Sequence, residues 1–429
     1  MIELTIESLA YGGSGVGRHD GKAIFVPFTA PGDRIRCRVE REKKNYADAE
    51  LVELLAPAAQ RRHPPCPVFG RCGGCQWQHL SYPEQTLWKE RLLGEALRRQ
   101  AGVIDPQVLP LVPAPDEWHY RSRVQFKCRL TPKGFVTGFY RRASHYVIDV
   151  AHCPISDQRL NQVLRLFRQW LPPSSAAAQI PQLDLEVGAD GTVRAVVHYL
   201  GTDPEPLAAY LRPLAESIGL ALFLQTGRKS TLTQVTGPSQ LVIEVDEPAL
   251  RLAYGAGGFA QVNLAQNRAL VAAVVQAAAL TGTELVLDLF CGMGNFSLPL
   301  ARRAAAVVGV EEYPPAIVQA RQNAAANGVA GAEFHATPAE GAASRFGTPH
   351  PFDLVVLDPP RTGALAVVKD LLQVRPQRVL YVSCDPATLA RDLRPLLHGG
   401  YELVWSRPFD LFPQTYHLES LSFLRLITG

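Results

Sequence analysis

Cys384 ends the apolar run 378–383 and stands just before a stretch of helical periodicity opened by Pro386. A thiol beside a helix N-terminus is drawn toward thiolate, the form that attacks carbon. A lone Cys is more often an inert core residue, but position argues against that here. Three acids lie at or near the ends of similar runs: Asp288 within 285–290, Glu311 after 307–310 and Asp358 after 352–357. A nucleophile that adds to a ring and later leaves needs a base nearby to take a proton. The segment 412–419 offers His417 and Glu419, the latter opening a mainly apolar run to Leu424. Partial burial would raise the Glu419 pKa toward usefulness. A solvated strand end and a satisfied loop imidazole explain the same two residues equally well.

The acids at the run ends suggest a cofactor. Asp288-Leu289-Phe290-Cys291-Gly292-Met293-Gly294-Asn295-Phe296 follows a buried run and precedes a helix, and its glycines let the backbone turn tightly against a ligand. Glu311 comes 23 residues after Asp288, where an acid can accept hydrogen bonds from two ribose hydroxyls. Together they indicate an adenosine-containing cofactor. A nicotinamide enzyme would want Gly-x-Gly-x-x-Gly and has no use for Asp358-Pro359-Pro360. Asp358 could also be a mere turn-former before the prolines, yet its run delivers it to the edge where open α/β sheets bind ligands.

A second constellation is Cys66-x5-Cys72-Gly73-Gly74-Cys75, with a fourth thiol available from Cys128 or from Cys153, which precedes Pro154. Three clustered cysteines and one distant one suit a four-thiolate iron–sulfur or zinc site, and spacing does not separate the two. A Cys-x-x-Cys redox pair would leave Cys66 unused. Between 119 and 142 lie seven Lys/Arg and no acid, interleaved with Tyr120, Phe126, Phe135, Phe139 and Tyr140. Cations suit phosphate and aromatic faces suit unstacked bases. A sheet with one solvated basic face and one buried aromatic face would give the same pattern.

These residues need scaffolds. The chain has 429 residues, 47% of them hydrophobic, and a net charge of +3, which suits two to four domains. Residues 1–55 alternate in five short runs punctuated by Gly and Pro, as in a small OB-type barrel. Their eight basic and nine acidic residues make no basic module, although Arg34, Arg36 and Arg38 should share one strand face. Residues 56–250 read as a Cys/Pro-rich loop, a helix over 82–101 that could pack on the last domain, and a mainly β region. From 251 to 429 strands and helices alternate, as in a doubly wound, mainly parallel sheet. No stretch is apolar enough to span a membrane and the N-terminus lacks an export signal, so a cytoplasmic monomer with reduced cysteines is expected.

Taken together, these motifs resemble the RNA (uracil-5)-methyltransferase family over nearly the whole chain. The resemblance implies a Rossmann-like class I methyltransferase domain at 251–429, S-adenosyl-L-methionine as cofactor and RNA as partner. Tyr11-Gly12-Gly13-Ser14-Gly15-Val16-Gly17-Arg18 looks like part of a TRAM barrel, an RNA-binding module. Cys66, Cys72, Cys75 and Cys153 match the ligands of a [4Fe–4S] cluster, which favours iron over zinc. Phe259-Ala260-Gln261-Val262-Asn263 matches a motif whose Gln contacts the cofactor, and Phe290, Asn295, Glu311 and Asp358 match further cofactor positions. Ser383-Cys384-Asp385-Pro386 matches the nucleophile motif, and His417-Leu418-Glu419-Ser420 the motif whose Glu is the base. The implied reaction methylates carbon 5 of a uridine in 23S ribosomal RNA through a covalent link from Cys384 to carbon 6.

The chain departs from the family at two places: Asp385 replaces the usual Asn, and Thr337 stands where Asn is common. An acid beside Cys384 would oppose ionisation of the thiol. Transfer RNA is the other substrate within the family, but its bacterial enzymes usually lack the barrel and the cysteines. A non-catalytic iron–sulfur RNA-binding or redox module would leave Glu311, Asp358 and Cys384 unexplained. Amino- or ring-nitrogen methylation usually wants an aromatic residue where this chain has Arg361.

Overall fold

Apolar alternation closes the first five strands on themselves in this computed structural model, which describes residues 1–228, 231–347 and 352–427. β1 (Ile2–Leu9), β2 (Ser14–His19), β3 (Lys22–Pro27), β4 (Arg34–Glu42) and β5 (Tyr46–Ala56) form a barrel in the order β1-β2-β3-β5-β4. Leu4, Ile6, Ile24, Val26, Ile35 and Cys37 fill its interior, as period-two alternation requires. The outer face with Arg36 and Arg38 is not a free cationic one. Arg36 pairs with Glu3 and Glu53, and Arg38 with Glu50, on neighbouring strands.

After the cysteine loop, α1 (Tyr82–Ala96) starts with Pro83 in its first turn and widens into a π turn (Leu97–Ala101) that Gly102 ends at φ 80. Gly is favoured there because this left-handed stop crowds a Cβ. A seven-stranded sheet follows, built from β6 (Arg123–Thr131), β7 (Gly134–Tyr140), β8 (Val147–Asp149), β9 (Gln182–Val187), β10 (Val193–His198), β11 (Ala221–Gln225) and β12 (Leu232–Thr236). α2 (Gln158–Trp170) and α3 (Glu205–Glu216) share its core through Leu160, Leu164, Phe167 and Leu211.

The hairpin of β13 (Gln240–Val245) and β14 (Leu250–Gly255) spans the division expected at 250/251 and buries Leu241, Ile243 and Leu252 in the core of the last sheet. That sheet holds β15 (Leu285–Leu289), β16 (Ala306–Glu311), β17 (Ala332–Ala336), β18 (Leu354–Leu357), β19 (Arg378–Ser383), β20 (Tyr401–Phe409) and β21 (Glu419–Leu426), in the order β17-β16-β15-β18-β19-β21-β20. Five neighbouring strands pair in parallel, and β21 alone runs the other way, antiparallel to both β19 and β20. Their runs are apolar on both sides because helices cover both faces. α4 (Leu264–Ala278), α5 (Ser297–Ala301) and α6 (Pro314–Ala326) bury Leu270, Leu298 and Ile317 against one face. α8 (Leu365–Val374) and α9 (Pro386–His398), joined by Leu93 and Leu97 of the α1 region, bury Val367, Leu371 and Leu393 on the other, and α7 (Ala342–Phe346) packs on α8. Each fully buried Leu contributes about 1.5–3 kcal/mol relative to an exposed one. The chain reverses direction across the sheet at β15, opening a crevice at the carboxyl ends of β15 and β18. No helix among the described residues is long and apolar enough to cross a membrane.

Candidate active site

The carboxyl ends of β15, β16, β18 and β19 bring Asp288, Glu311, Asp358 and Cys384 to one sheet edge. Asp288 is fully buried, accepts the Ser297 hydroxyl at 2.5 Å and is raised to about 7, first by burial. Its Oδ1 has no hydrogen-bond partner among the described residues. Burial, and then the Asp288 charge, also lift Asp358 above the usual carboxylate range. Glu311 accepts the Tyr313 backbone N–H at 2.9 Å. Phe290 holds a left-handed φ of 66, a conformation rare for an aromatic residue, which turns the loop sharply after β15. Gln261 is half-buried just beyond Phe259, which is 69% exposed. Asn295 behaves differently from these: it exchanges reciprocal amide hydrogen bonds of 2.9 and 3.0 Å with Asn267 of α4. That pairing tethers the glycine loop to α4.

Register brings the two remaining residues together. The β19–β21 ladder pairs Ser383 with Ser420, so the next antiparallel step sets Cys384 beside Glu419. Glu419 is 2% exposed, and its Oε1 has no hydrogen-bond partner among the described residues. Burial, then the Asp358 charge, drive its carboxyl well above the usual range, and Arg361 pulls it back. His417 lies against Tyr416, with ring centroids 4.2 Å apart, and falls to about 4 through burial and nearby cations.

Cys384 is not the pre-ionised thiol that its place near a helix suggests. It is pushed up to about 12, mainly by burial, then by Glu419 and Asp358, against the pull of Arg361. Asp385, between Cys384 and the helix, acts as N-cap and accepts the N–H groups of Ala387 and Thr388 at 3.0 and 2.9 Å. Loss of solvation and three carboxylates outweigh the weak pull of a helix end. Arg361 stands out in sequence only as an odd residue after two prolines. Its charge acts on both Cys384 and Glu419.

Cys66, Cys72, Cys75 and Cys153 line one mainly apolar cavity of about 230 Å³. Cys128 lies elsewhere, in the core beneath α2. Asn161 of α2 accepts the Cys153 N–H and donates to its carbonyl, fixing the fourth thiol. Burial lifts Cys72 to about 11 and Cys75 higher still, and the neighbouring thiols add to this. Among the described residues, no three His, Cys, Asp or Glu side chains lie close enough to hold a single ion.

The basic stretch divides in two. Arg123 is spent on Glu186 and Lys127 on Gln182, while Phe126 is buried in the core. Arg129, Lys133, Arg141 and Arg142 remain exposed along β6, β7 and the turn that follows. Sequence reasoning overlooked the ties between the N-terminal half and 410–419. Lys89 of α1 and Asp410 form a fully buried ion pair at 2.6 Å, and Lys89 also donates to the Phe412 carbonyl. Gln414, in a left-handed conformation, bonds through its side chain to Gln85, Arg62 and Glu117.

Comparison with known proteins adds an independent line. The profile of the tRNA (Uracil-5-)-methyltransferase family matches residues 107–426, and that of the TRAM domain matches 1–52. The 23S rRNA (uracil(1939)-C(5))-methyltransferase RlmD of Alkalilimnicola ehrlichii is 37% identical, covering 98% of this chain and 96% of its own. The protein of the same name from Klebsiella pneumoniae is also 37% identical, covering 98% and 95%. Among solved structures, the tRNA (uracil-54, C5)-methyltransferase of Pyrococcus abyssi, bound to S-adenosyl-L-homocysteine, superposes with a TM-score of 0.77 at 26% identity. The match covers 99% of this chain and all of that one.

Proposed function

The chain belongs to the RNA uracil-5-methyltransferase family, and from that premise we propose that it methylates carbon 5 of a uridine in 23S ribosomal RNA, with Cys384 as nucleophile and Glu419 as base. The observation that carries this reading is the Ser383–Ser420 register of β19 and β21, which puts Cys384 and Glu419 one step beyond it within electrostatic reach of each other, with a Glu419 oxygen that has no hydrogen-bond partner among the described residues.

The residues fit successive steps. The Cys384 thiolate adds to carbon 6 of uracil, and the ring electrons pass to carbon 5 and the adjacent carbonyl. Carbon 5 then takes the sulfonium methyl, breaking the carbon–sulfur bond and leaving S-adenosylhomocysteine. The Glu419 carboxylate accepts the carbon 5 proton, the ring double bond re-forms and the thiolate leaves. A buried carboxylate with a raised pKa is a stronger base once ionised. Gln261, Phe290, Glu311 and Asp358 ring the crevice where the methyl donor would lie, with Asn295 acting through its loop. A sulfonium beside Asp358 would relieve the carboxylate crowding that holds the Cys384 proton.

For the four cysteines we propose a [4Fe–4S] cluster. Zinc would draw four sulfurs to about 2.3 Å from one point. The resemblance to the family favours iron, four thiols lining one cavity are the donor set such a cluster takes, and its positive charge would let these buried thiols ionise. The barrel at 1–55 and the region 56–250, with its exposed Arg129, Lys133, Arg141 and Arg142, would hold the RNA while 251–429 carries the chemistry. Full-length similarity to the Pyrococcus abyssi tRNA enzyme keeps transfer RNA as the second reading.

Labelled S-adenosylmethionine and unmodified ribosomal or transfer RNA test both substrates at once by mapping the labelled nucleotide. Label at carbon 5 of one 23S uridine is expected, and label confined to transfer RNA would move the substrate. Cys384→Ala should abolish transfer while cofactor binding persists; full activity there would remove the mechanism. Anaerobically purified protein should contain iron and sulfide, and zinc without iron would overturn the cluster.

A further inference from the structure

The turn between β1 and β2 reaches out of the barrel to the sheet edge. Gly13 permits this approach: its φ is 91, and a Cβ there would meet Gln76 at 2.9 Å and Tyr416 at 3.2 Å. The Gly13 carbonyl accepts the indole N–H of Trp77 at 3.1 Å, which locks the turn down. The neighbouring Tyr11 is thereby placed between the two segments that carry Cys384 and Glu419. Its hydroxyl lies 3.3 Å from Asp385 Oδ2 and 3.5 Å from the Cys384 carbonyl. Its ring meets Tyr416 edge-on at 5.3 Å.

We propose that Tyr11 is a positioning residue for the nucleophile: its phenol holds and partly neutralises Asp385 next to Cys384, while its ring braces the segment ending in Glu419. The inference rests on the reading of Cys384 as nucleophile. Asp385 spends Oδ1 on the N–H groups of Ala387 and Thr388, which leaves Oδ2 facing the phenol. Burial and the Asp385 charge hold Tyr11 far above ordinary phenols, so it stays a neutral donor at every working pH. The charged groups acting on Cys384 are Glu419 from β21, Asp358 and Arg361 from the loop after β18, and Asp385 from the cap of α9. Of these, Asp385 is the one the phenol touches. A carboxylate that shares its charge with a donor repels a thiolate less.

The test is the rate at which iodoacetamide alkylates Cys384, followed by peptide mass spectrometry from pH 7 to 9.5 without RNA or cofactor. Tyr11→Phe keeps the ring and loses the hydroxyl. It should slow alkylation about threefold at a given pH, the equivalent of roughly half a pKa unit. Asp385→Asn should speed alkylation, and in that background Tyr11→Phe should change nothing. Equal rates for Tyr11→Phe and the parent overturn the proposal. So does equal slowing in both backgrounds, which would mean that Tyr11 acts by packing alone. Should Tyr11→Phe lower the melting temperature, 3-fluorotyrosine at position 11 keeps ring and hydroxyl. Its stronger donation should speed alkylation, and no change would also overturn the idea. Retained methyl transfer by Cys384→Ala would instead remove the nucleophile and leave this cycle intact.

Discussion

The backbone carbonyl of Gln414 accepts the N–H of Trp77 at 2.9 Å, and that of Gln76 at 3.1 Å. Trp77 lies two residues after Cys75, and Gln414 five before Glu419, so the cysteine loop and the loop of the proposed base share a main-chain junction. Gln85 closes it from α1, accepting the Gln414 N–H at 2.8 Å and donating to its side-chain oxygen at 3.0 Å. The junction gives order in the cysteine loop a main-chain route to the segment that carries Glu419.

If the four cysteines hold the proposed iron–sulfur cluster, chelating its iron is expected to speed amide hydrogen exchange at Trp77 and across 412–419, while α4 exchanges as before. Exchange tracks local opening, and loss of the proposed cluster would remove a cross-link from the cysteine loop. Unchanged exchange across 412–419 would show that the two loops order independently. Gln414→Ala should act on the same junction, costing about 1–3 kcal/mol by leaving Gln85, Arg62 and Glu117 short of partners.

Glu419→Gln is expected to trap a covalent enzyme–RNA adduct, because addition and methyl transfer need no base whereas elimination does. A denaturing gel after one turnover checks this, and free methylated RNA alone would release Glu419 from the role. The same substitution carries a stability signature. Burial raises the Glu419 pKa in the folded protein, so between about 4.3 and that raised value the folded state binds the extra proton. Stability from this group is complete below the unfolded pKa and is lost as pH rises through the folded one. Glu419→Gln should therefore melt a few degrees above the parent at pH 7.5 and close to it at pH 4.5, as a melting series at the two pH values would read.

Lys89 and Asp410 are both fully buried, which makes their pair a second point of leverage. Removing one partner leaves a bare charge in the interior, so Lys89→Met should cost about 3–5 kcal/mol. Replacing both, as Lys89→Met with Asp410→Leu, should recover most of that. Denaturant unfolding measures each variant, and additive losses in the double variant would contradict the pairing.

Much of the last sheet is legible in sequence because its strands are continuous apolar runs with Asp288, Glu311, Asp358 or Cys384 at or next to their carboxyl ends. The placement of β21 between β19 and β20 is not, since no local pattern announces which strand an antiparallel edge will join. The closeness of Cys384 to Glu419 depends on that choice. Alternation places Arg34, Arg36 and Arg38 on one face but cannot reveal that Glu3, Glu50 and Glu53 face the latter two from adjoining strands. The same holds for Asn295: its motif marks a cofactor position but does not reveal that Asn267 of α4 pairs with its amide. Sequence ties the Cys384 thiol to the helix after it, whereas burial and then Glu419, Asp358 and Arg361 govern its titration.

That governance gives a prediction about cofactor charge. In the free protein the thiol sits near 12, so its alkylation should rise about tenfold per pH unit from 7 to 10. A bound sulfonium near Asp358 would offset the carboxylates and lower the thiol pKa. S-adenosylhomocysteine occupies nearly the same space without that positive charge. Cys384 should therefore alkylate several-fold faster in saturating S-adenosylmethionine than in saturating S-adenosylhomocysteine. Any steric shielding by the nucleoside is common to both and cancels in the ratio. Equal rates would mean that the methyl donor does not activate the nucleophile, leaving the incoming uracil and Arg361 to do so.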